Sequence, residues 1–188
     1  RDYSAAQVFR SGITGDVELT SKSSLQYQYA TINMPKAQHP SSLTAQDAEN
    51  NPTKARSSFI DAGAGKQINQ QQAGVSYMLE TDAGTLDITG YGIYRDLTNP
   101  LPFGIITVNR AAGGLRTTFD KDWNQFSLNV GLETKFQSDD RKEFENTGDA
   151  RRGAVTVDQV EQVWNQAIFS TATYSINDVN ILAGLRYD

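Results

Sequence analysis

The sequence has no cysteine and only one histidine, which limits the chemistry that it can carry. Without cysteine there is no disulfide, no thiolate metal site and no thiol nucleophile. No apolar run approaches the roughly 18 residues that a membrane-spanning helix needs. The net charge is −5, which argues against a nucleic-acid-binding protein, because such proteins present a basic patch. The length of 188 residues suffices for one domain with a core.

Apolar side chains alternate with polar or small ones in about eight segments, which is the pattern of β-strands with two different faces. In the clearest segment the apolar positions and their polar or small neighbours are Phe126, Leu128, Val130 and Leu132 against Ser127, Asn129, Gly131 and Glu133. The terminal NILAGLRYD alternates in the same way. The sequence therefore predicts an all-β fold of about eight antiparallel strands in a meander.

The connections between these segments alternate between short and long. Four are tight polar turns, whereas polar stretches cover residues 35–66, the segment around NPLPF, and residues 138–161. Structureless loops of that size are uncommon in compact soluble domains. Outer-membrane barrels have this asymmetry, with short periplasmic turns and long extracellular loops. The alternation of short and long connections therefore predicts part of a transmembrane β-barrel.

Aromatic residues near the predicted strand ends support the barrel interpretation, because outer-membrane barrels carry aromatic girdles at both membrane interfaces. They are Tyr94, Trp123, Trp164, Tyr174 and Tyr187. The polar positions carry Gln, Asn, Arg and Glu along whole strands, which suits a wet lumen. Alternation alone does not separate this arrangement from a soluble β-sandwich, which also has one apolar face.

The phase of the turns gives an expectation about the two ends of the chain. If the short turns face the periplasm, both ends lie on the outer side. A complete bacterial barrel normally has both termini in the periplasm. We therefore expect residues 1–188 to be part of one larger barrel domain, with further strands on both sides.

Several segments resemble the barrel of TonB-dependent outer-membrane receptors, especially siderophore-receptor-like ones. They are GYGIYRDLTNPLPFGIITVNRAAGGLRTTF, LNVGLETKFQSDDRKEFEN, NILAGLRYD and the loop segment SSLTAQDAENNPTKA. The resemblance implies a 22-stranded barrel around a plug, in the outer membrane of a Gram-negative bacterium. It implies import of a ferric siderophore or a similar scarce solute. The TonB complex would supply the energy through an N-terminal part, and outer-membrane lipid would surround the wall.

No catalytic constellation, cofactor site or metal site stands out, so the sequence predicts no enzyme. The candidate lumen-facing or ligand-facing residues are Arg95, Arg110, Arg116, Arg186, Phe59 and Phe103. Arginines on the wet side can pair with carboxylates of the plug or attract an anionic ferric chelate. They can equally form ion pairs with neighbouring strands. The two phenylalanines lie in outer loops, where aromatic side chains can contact a ligand.

Three weaker motifs suggest other sites. GAGKQ (residues 63–67) echoes a phosphate-binding loop but lacks its first glycine and its Ser or Thr. The acidic residues between Asp139 and Asp149 do not have the spacing of an EF-hand. His39 lies near Ser41 and Ser42 in a polar loop, without a third orienting group.

TAQD (residues 44–47) fits a capping box and predicts a short helix.

Two other protein classes remain open on the sequence alone. One is a small self-contained outer-membrane barrel, either an adhesin or a lipid hydrolase, which requires pairing between the first and last strands. The other is a soluble carbohydrate-binding β-protein, which requires the apolar face to be buried against a second sheet.

Overall fold

The computed structural model describes all 188 residues, Arg1 to Asp188. It contains one eight-stranded antiparallel sheet, in which each strand pairs with the next along the chain. The strands are β1 (Ala6–Thr20), β2 (Ser23–Ala37), β3 (Gln67–Thr81), β4 (Gly84–Leu101), β5 (Gly104–Trp123), β6 (Phe126–Asn146), β7 (Arg152–Ile176) and β8 (Val179–Tyr187). Two short helices, α1 (Ala45–Asn50) and α2 (Ser57–Asp61), lie between β2 and β3. The predicted all-β meander is confirmed.

The connections at one end of the sheet are all short, as predicted. They are the two-residue turns 21–22, 82–83, 124–125 and 177–178. At the other end only the connection between β2 and β3, residues 38–66, is long. The other two predicted long loops are wrong, because β4 and β5 are joined by residues 102–103, and β6 and β7 by residues 147–151. The strands extend through both segments, because the backbone hydrogen-bond ladder continues there although the regular apolar-polar alternation does not.

The strand register places the predicted apolar positions of all eight strands on one face. One complete cross-strand row consists of Val17, Leu25, Tyr77, Ile88, Thr117, Leu132, Ile168 and Tyr187. A shift of one residue in any pair would move that strand's apolar side chains to the other side. We call this side of the sheet the apolar face and the opposite side the polar face.

No second layer covers either face. Only 12 of the 188 residues are buried, and Leu132, Ile168 and Leu185 on the apolar face are 60%, 56% and 84% exposed. The soluble alternative required a second sheet on this face, and that expectation is wrong. The closed-barrel alternative required pairing between β1 and β8, but these strands are the two opposite edges of an open sheet. No α-helix has the length and hydrophobicity of a membrane-spanning helix.

The short turns are staggered along the sheet by a constant amount. Ser23 pairs with Leu79, which lies two residues before the end of β3. Phe126 pairs with Tyr174, two residues before the end of β7, and the same offset separates the two turns in between. An offset of two residues is about 6.6 Å along the strand, and it accumulates over two strand spacings, about 9.6 Å. If the turns lie at one level, this ratio corresponds to a strand tilt of about 35°. Transmembrane barrel strands have this tilt.

Two aromatic clusters lie on the apolar face. Beside the short turns, the ring centroids of Trp123 and Phe126 are 5.7 Å apart, and Tyr174 is the cross-strand partner of Phe126. Farther along the strands, the ring centroids of Phe136 and Trp164 are 4.5 Å apart. Mostly apolar side chains fill the face between the two clusters, so the clusters mark the limits of an apolar band.

The height of this band matches the apolar band of outer-membrane barrels. Phe126 is the first and Phe136 the eleventh residue of β6. The distance between them is about 34 Å along the strand, which at that tilt gives a band about 28 Å high along the barrel axis. Tyr94, the eleventh residue of β4, lies at the same level. Trp123, Tyr174 and Tyr187 lie at or near strand ends, as expected, whereas Tyr94 and Trp164 lie inside longer strands. We call residues 126–136 of β6 and their counterparts at the same level the membrane band.

The best-packed part of the molecule lies at the end opposite the short turns. Half of the buried residues are found there: Ala62, Ala64, Gly65, Pro100, Gly104 and Ile105. The Gly65 N–H donates to the Pro100 carbonyl (3.0 Å), and the Asn146 side-chain amide donates to the carbonyls of Ala62 (2.8 Å) and Leu101 (3.0 Å). We call residues 61–65, 99–105 and 146–151 the outer knot. It fastens the long connection to the ends of β4, β5 and β6.

The short helix predicted in the long connection is confirmed, and Thr44 is its N-cap. The Thr44 hydroxyl accepts the N–H of Asp47 (3.1 Å) and donates to the Asp47 carboxylate (3.0 Å) at the start of α1. Lys54 donates to the same carboxylate (2.6 Å), and this bond is the main reason that the pKa of Asp47 is lowered. Residues 38–66 are therefore a folded segment with local order of its own.

Candidate functional site

The polar face carries the four candidate arginines. Arg95 and Arg110 belong to one cross-strand row on β3 to β7, whose members are Gln70, Arg95, Arg110, Asp139 and Glu161. We call these five residues the arginine row. It lies beyond the membrane band, toward the outer knot.

Arg110 and Asp139 form the tightest ion pair in the arginine row. The Arg110 guanidinium donates two hydrogen bonds to the carboxylate, at 2.8 and 2.6 Å. Asp139 is buried, and Gln137 donates a further bond at 3.2 Å. The hydrogen bonds from Arg110 hold the pKa of Asp139 below its ordinary value, although desolvation opposes them. Arg110 therefore forms an ion pair with a neighbouring strand, which is one of the two roles expected for these arginines.

Arg95 makes no salt bridge, although its charge contributes to lowering the pKa of Asp139. Its Nε donates to the side-chain oxygen of Gln70 (2.6 Å), a neutral acceptor, and Gln70 in turn donates to Gln72 (3.0 Å). This bond orients the guanidinium without neutralising its charge. Arg95 therefore provides a positive charge that is available to an anionic group on this face.

Arg116 and Arg186 both lie near one aromatic ring, that of Phe169, within the membrane band. The guanidinium carbon of Arg116 is 4.9 Å from the centroid of Phe169, and that of Arg186 is 5.8 Å away. Arg186 donates to Glu133 (3.3 Å) and to Asp188 (2.8 and 2.7 Å), so it is paired. Arg116 makes no ion pair and is, like Arg95, a candidate cation of this face for contact with an anion.

The two candidate phenylalanines lie apart from the arginines. Phe103 is 80% exposed, at the tip of the β4–β5 turn within the outer knot. Phe59 belongs to α2 and stacks on His39, with ring centroids 5.3 Å apart. Phe103 is therefore available for contact, whereas Phe59 is held within its own loop.

The GAGKQ segment has no free amide groups with which to bind phosphate. The N–H groups of Gly63, Ala64, Gly65 and Lys66 donate to carbonyls of Ile60, Phe59, Pro100 and Ala37. Phosphate-binding loops need amides that point at the ligand. The segment instead forms part of the outer knot.

The acidic stretch lies mostly on a strand, contrary to the expectation of a loop. Asp139 and Glu143 are on the polar face of β6, bonded to Arg110 and Arg141, whereas Asp140 is on the opposite face. His39 accepts the backbone N–H of Ser41 at Nδ1 (3.1 Å), so this nitrogen is not bonded to a serine hydroxyl. Neither arrangement assembles a metal-binding or nucleophilic centre.

Sequence analysis missed the partners that distinguish the four arginines from one another. Asp139, Gln70 and Phe169 are separated from them by 17 to 53 residues and meet them only through the strand register. The one available signal is the polar or small character of the alternate positions. It places all these residues on the same face but not beside each other.

Comparison with known proteins gives a structural match alone. No protein-family model matches the chain, and no curated protein matches it. Among solved structures, the ferric citrate transporter FecA in its unliganded form matches with a TM-score of 0.69 and 13% identity. The match covers 99% of this chain and 30% of that one.

The sheet has the fold of a segment of that transporter. At 13% identity the likeness concerns the fold and leaves the activity open. Because this chain spans less than a third of the transporter's length, the match describes a part of that architecture. An eight-stranded open sheet with one apolar face fits a piece of a barrel wall, as expected from the sequence.

Proposed function

We propose that the chain forms part of the barrel wall of a TonB-energised receptor in the outer membrane of a Gram-negative bacterium. The observation that carries this proposal is the apolar face, continuous over eight strands and covered by no other layer. In water, such a face would be a large exposed apolar surface, which soluble monomers rarely have. Lipid is the solvent in which its side chains need no protein partner.

The fold match supports transport as the activity. The matched protein is a ferric citrate transporter, and the match extends over nearly the whole of this chain. A barrel wall of this kind separates lipid on the apolar face from the transport path and plug on the polar face. The chain then contributes structure and charge to the path but performs no chemical step.

The solute that we propose is an anionic ferric chelate, such as a ferric siderophore. Arg95 and Arg116 support this choice, because both lie on the polar face without a carboxylate partner. Their charges raise the local concentration of anions along the wall. Arg95, beyond the membrane band toward the outer knot, would meet the chelate first, and exposed Phe103 lies at the same end of the sheet.

Uptake of radioactive iron by cells that produce the full-length protein tests this function. We expect uptake of a chelated anionic form, and its loss in a strain without TonB. Arg95→Gln should reduce uptake, whereas Lys22→Gln, which removes the same charge at the short turns, should not. Protein that folds in the outer membrane but supports no TonB-dependent uptake would contradict the transport proposal.

A further inference from the structure

A row of apolar side chains crosses the polar face beside the arginine row. Its members are consecutive cross-strand partners on β2 to β5: Met34, Ile68, Leu97 and Val108. We call these four residues the inner apolar row. It lies two residues beyond the arginine row, toward the outer knot, and all four residues are partly exposed. Their exposed surface faces the inside of the proposed barrel, where lipid is absent.

Three cations adjoin the inner apolar row, and none of them forms an ion pair. Arg95 on β4 and Arg10 on β1 belong to one line of cross-strand partners, because the arginine row continues through Ile32 to β1. Lys66 is the residue before β3, and strand alternation places its side chain on the polar face. Positive charge therefore lies on both sides of the row.

The polar face of β1 to β5 carries no carboxylate between the arginine row and the outer ends of these strands. The one acidic residue in these stretches is Asp96, which lies on the apolar face as the cross-strand partner of Asn69. On β6, Asp139 is already bonded twice to Arg110. This part of the wall is thus apolar and positively charged, which complements an anion that has a nonpolar body.

The surroundings of Arg95 indicate which kind of nonpolar body fits. Its Nε donates to the side-chain oxygen of Gln70 (2.6 Å), so a neutral acceptor holds the guanidinium in one orientation. Ile93 and Leu97 lie on the same face of β4, one on each side of Arg95. A planar guanidinium stacks on aromatic rings as well as attracting negative charge. The two aliphatic side chains can cover the edges of such a ring, so the arrangement favours aryl groups.

We propose that the inner apolar row, together with Arg95, selects a ferric chelate built from catecholate groups over ferric citrate. The inference rests on the proposed function and names the class of chelate within it. Both chelates are anions, and the cations attract both. Only the catecholate complex presents aryl rings at its periphery, whereas citrate presents carboxylate and hydroxyl groups. The row spans three strand spacings, roughly 14 Å, which is wide enough for two rings side by side.

Equilibrium binding of the two chelates, labelled with radioactive iron, to the purified full-length protein tests this proposal. The unaltered protein should bind the ferric catecholate more tightly. Ile68→Asn with Leu97→Asn should weaken that binding about tenfold or more, because nonpolar contact area is lost, and should change ferric citrate binding less than about twofold. Ile68→Ser alone should act in the same direction with a smaller effect, and it decides the question if the double variant does not fold.

Two further variants are the controls. Met78→Asn lies on the same strand and face as Ile68, ten residues nearer the short turns, and should leave both affinities unchanged. Arg10→Gln removes a charge but no part of the row, and should weaken the binding of both chelates. Tighter binding of ferric citrate by the unaltered protein would overturn the proposal. So would an equal loss of both chelates in the double variant, which is the result expected if the row packs against the plug.

The same measurements separate this proposal from the proposed function. Heat-dependent gel mobility first verifies that each variant is a folded barrel. A folded protein that binds neither chelate would contradict the proposed solute and the selection together. A folded protein that binds both chelates, with equal affinity or with ferric citrate preferred, would contradict the selection alone.

Discussion

On the apolar face, Leu132, Ile168 and Leu185 are more than half exposed and have no specific partner. On the polar face, Arg110 and Asp139 are held by two hydrogen bonds, and Asp139 is buried. The two faces belong to the same strands and alternate residue by residue. They nevertheless obtain their stability from different sources.

The apolar face depends on the solvent that surrounds it. If this face meets lipid, as we propose, any apolar side chain of suitable size serves there, because lipid has no preferred partner. The polar face depends on particular pairs, because a charge that loses its partner in a partly buried position is costly. Substitutions on the apolar face should therefore be judged by polarity, and those on the polar face by the partner that is lost.

The largest expected effect comes from a charge on the apolar face. Leu128→Arg or Val130→Arg should destabilise the membrane-inserted protein by about 2–4 kcal/mol each, because the charge would lie within the hydrocarbon. Asn129→Arg, between them on the polar face, should be tolerated. Denaturant unfolding of the full-length protein in lipid bilayers measures the three effects. Equal tolerance at the neighbouring positions would contradict the assignment of faces.

Removal of a paired cation should have the next largest effect. Arg110→Ala leaves the buried Asp139 carboxylate without its main partner and should cost about 1–3 kcal/mol. Arg116→Ala removes a cation stacked on Phe169 and should cost about 0.5–1 kcal/mol. The same unfolding measurement compares them. If Arg116→Ala cost more, specific pairing would not be what distinguishes arginines on the polar face.

Two glycines allow the packing of the faces to be compared directly. A Cβ at Gly131, on the polar face, would overlap the ring of Phe169, whereas a Cβ at Gly92, on the apolar face, would meet nothing within 4 Å. Gly131→Ala should therefore cost about 1 kcal/mol, because the ring must leave its position beside Arg116. Gly92→Ala should be neutral or slightly stabilising. Equal effects of the two changes on unfolding would show that side chains on the two faces are equally free.

The smallest expected effect is a pH dependence of the polar face. The pKa of Asp139 is lowered mainly by the hydrogen bonds from Arg110, so its contribution to stability is present above the unfolded value of about 3.9. That contribution is lost as the pH falls through the lower pKa of the folded state. Between pH 7 and pH 3, the unaltered protein should lose more unfolding free energy than Asp139→Asn. An identical loss in both would show that the carboxylate gains nothing from its partner.

Sequence patterning predicted the strands best where their two faces differ in polarity. In β6 the alternation from Phe126 to Leu132 identified both the strand and its apolar face. Beyond Phe136 the same strand continues to Asn146 with polar residues on both faces, and the prediction there was a loop. Hydropathy patterning detects a strand only when its two faces differ in polarity. Where both faces are polar, the strand leaves no alternating pattern in the sequence.

The sequence predicted which arginines lie on the polar face, but it did not predict which side chains each of them contacts. The pattern placed Arg95, Arg110, Arg116 and Arg186 on the polar face, and the register does the same. It did not separate the paired Arg110 and Arg186 from the unpaired Arg95 and Arg116. That distinction depends on which strand lies alongside and at which offset.

The sequence by itself determined about eight strands, each with its alternating apolar positions on one face, because the two-residue period of a strand is local and does not depend on neighbouring strands. Only the tertiary structure decided the constant stagger of the turns, the level of the two aromatic clusters and the fastening of residues 38–66 into the outer knot. These features depend on which backbone groups pair across strands. The alternation of side chains decides which face of a strand is apolar, but it does not decide how far one strand is shifted along the next.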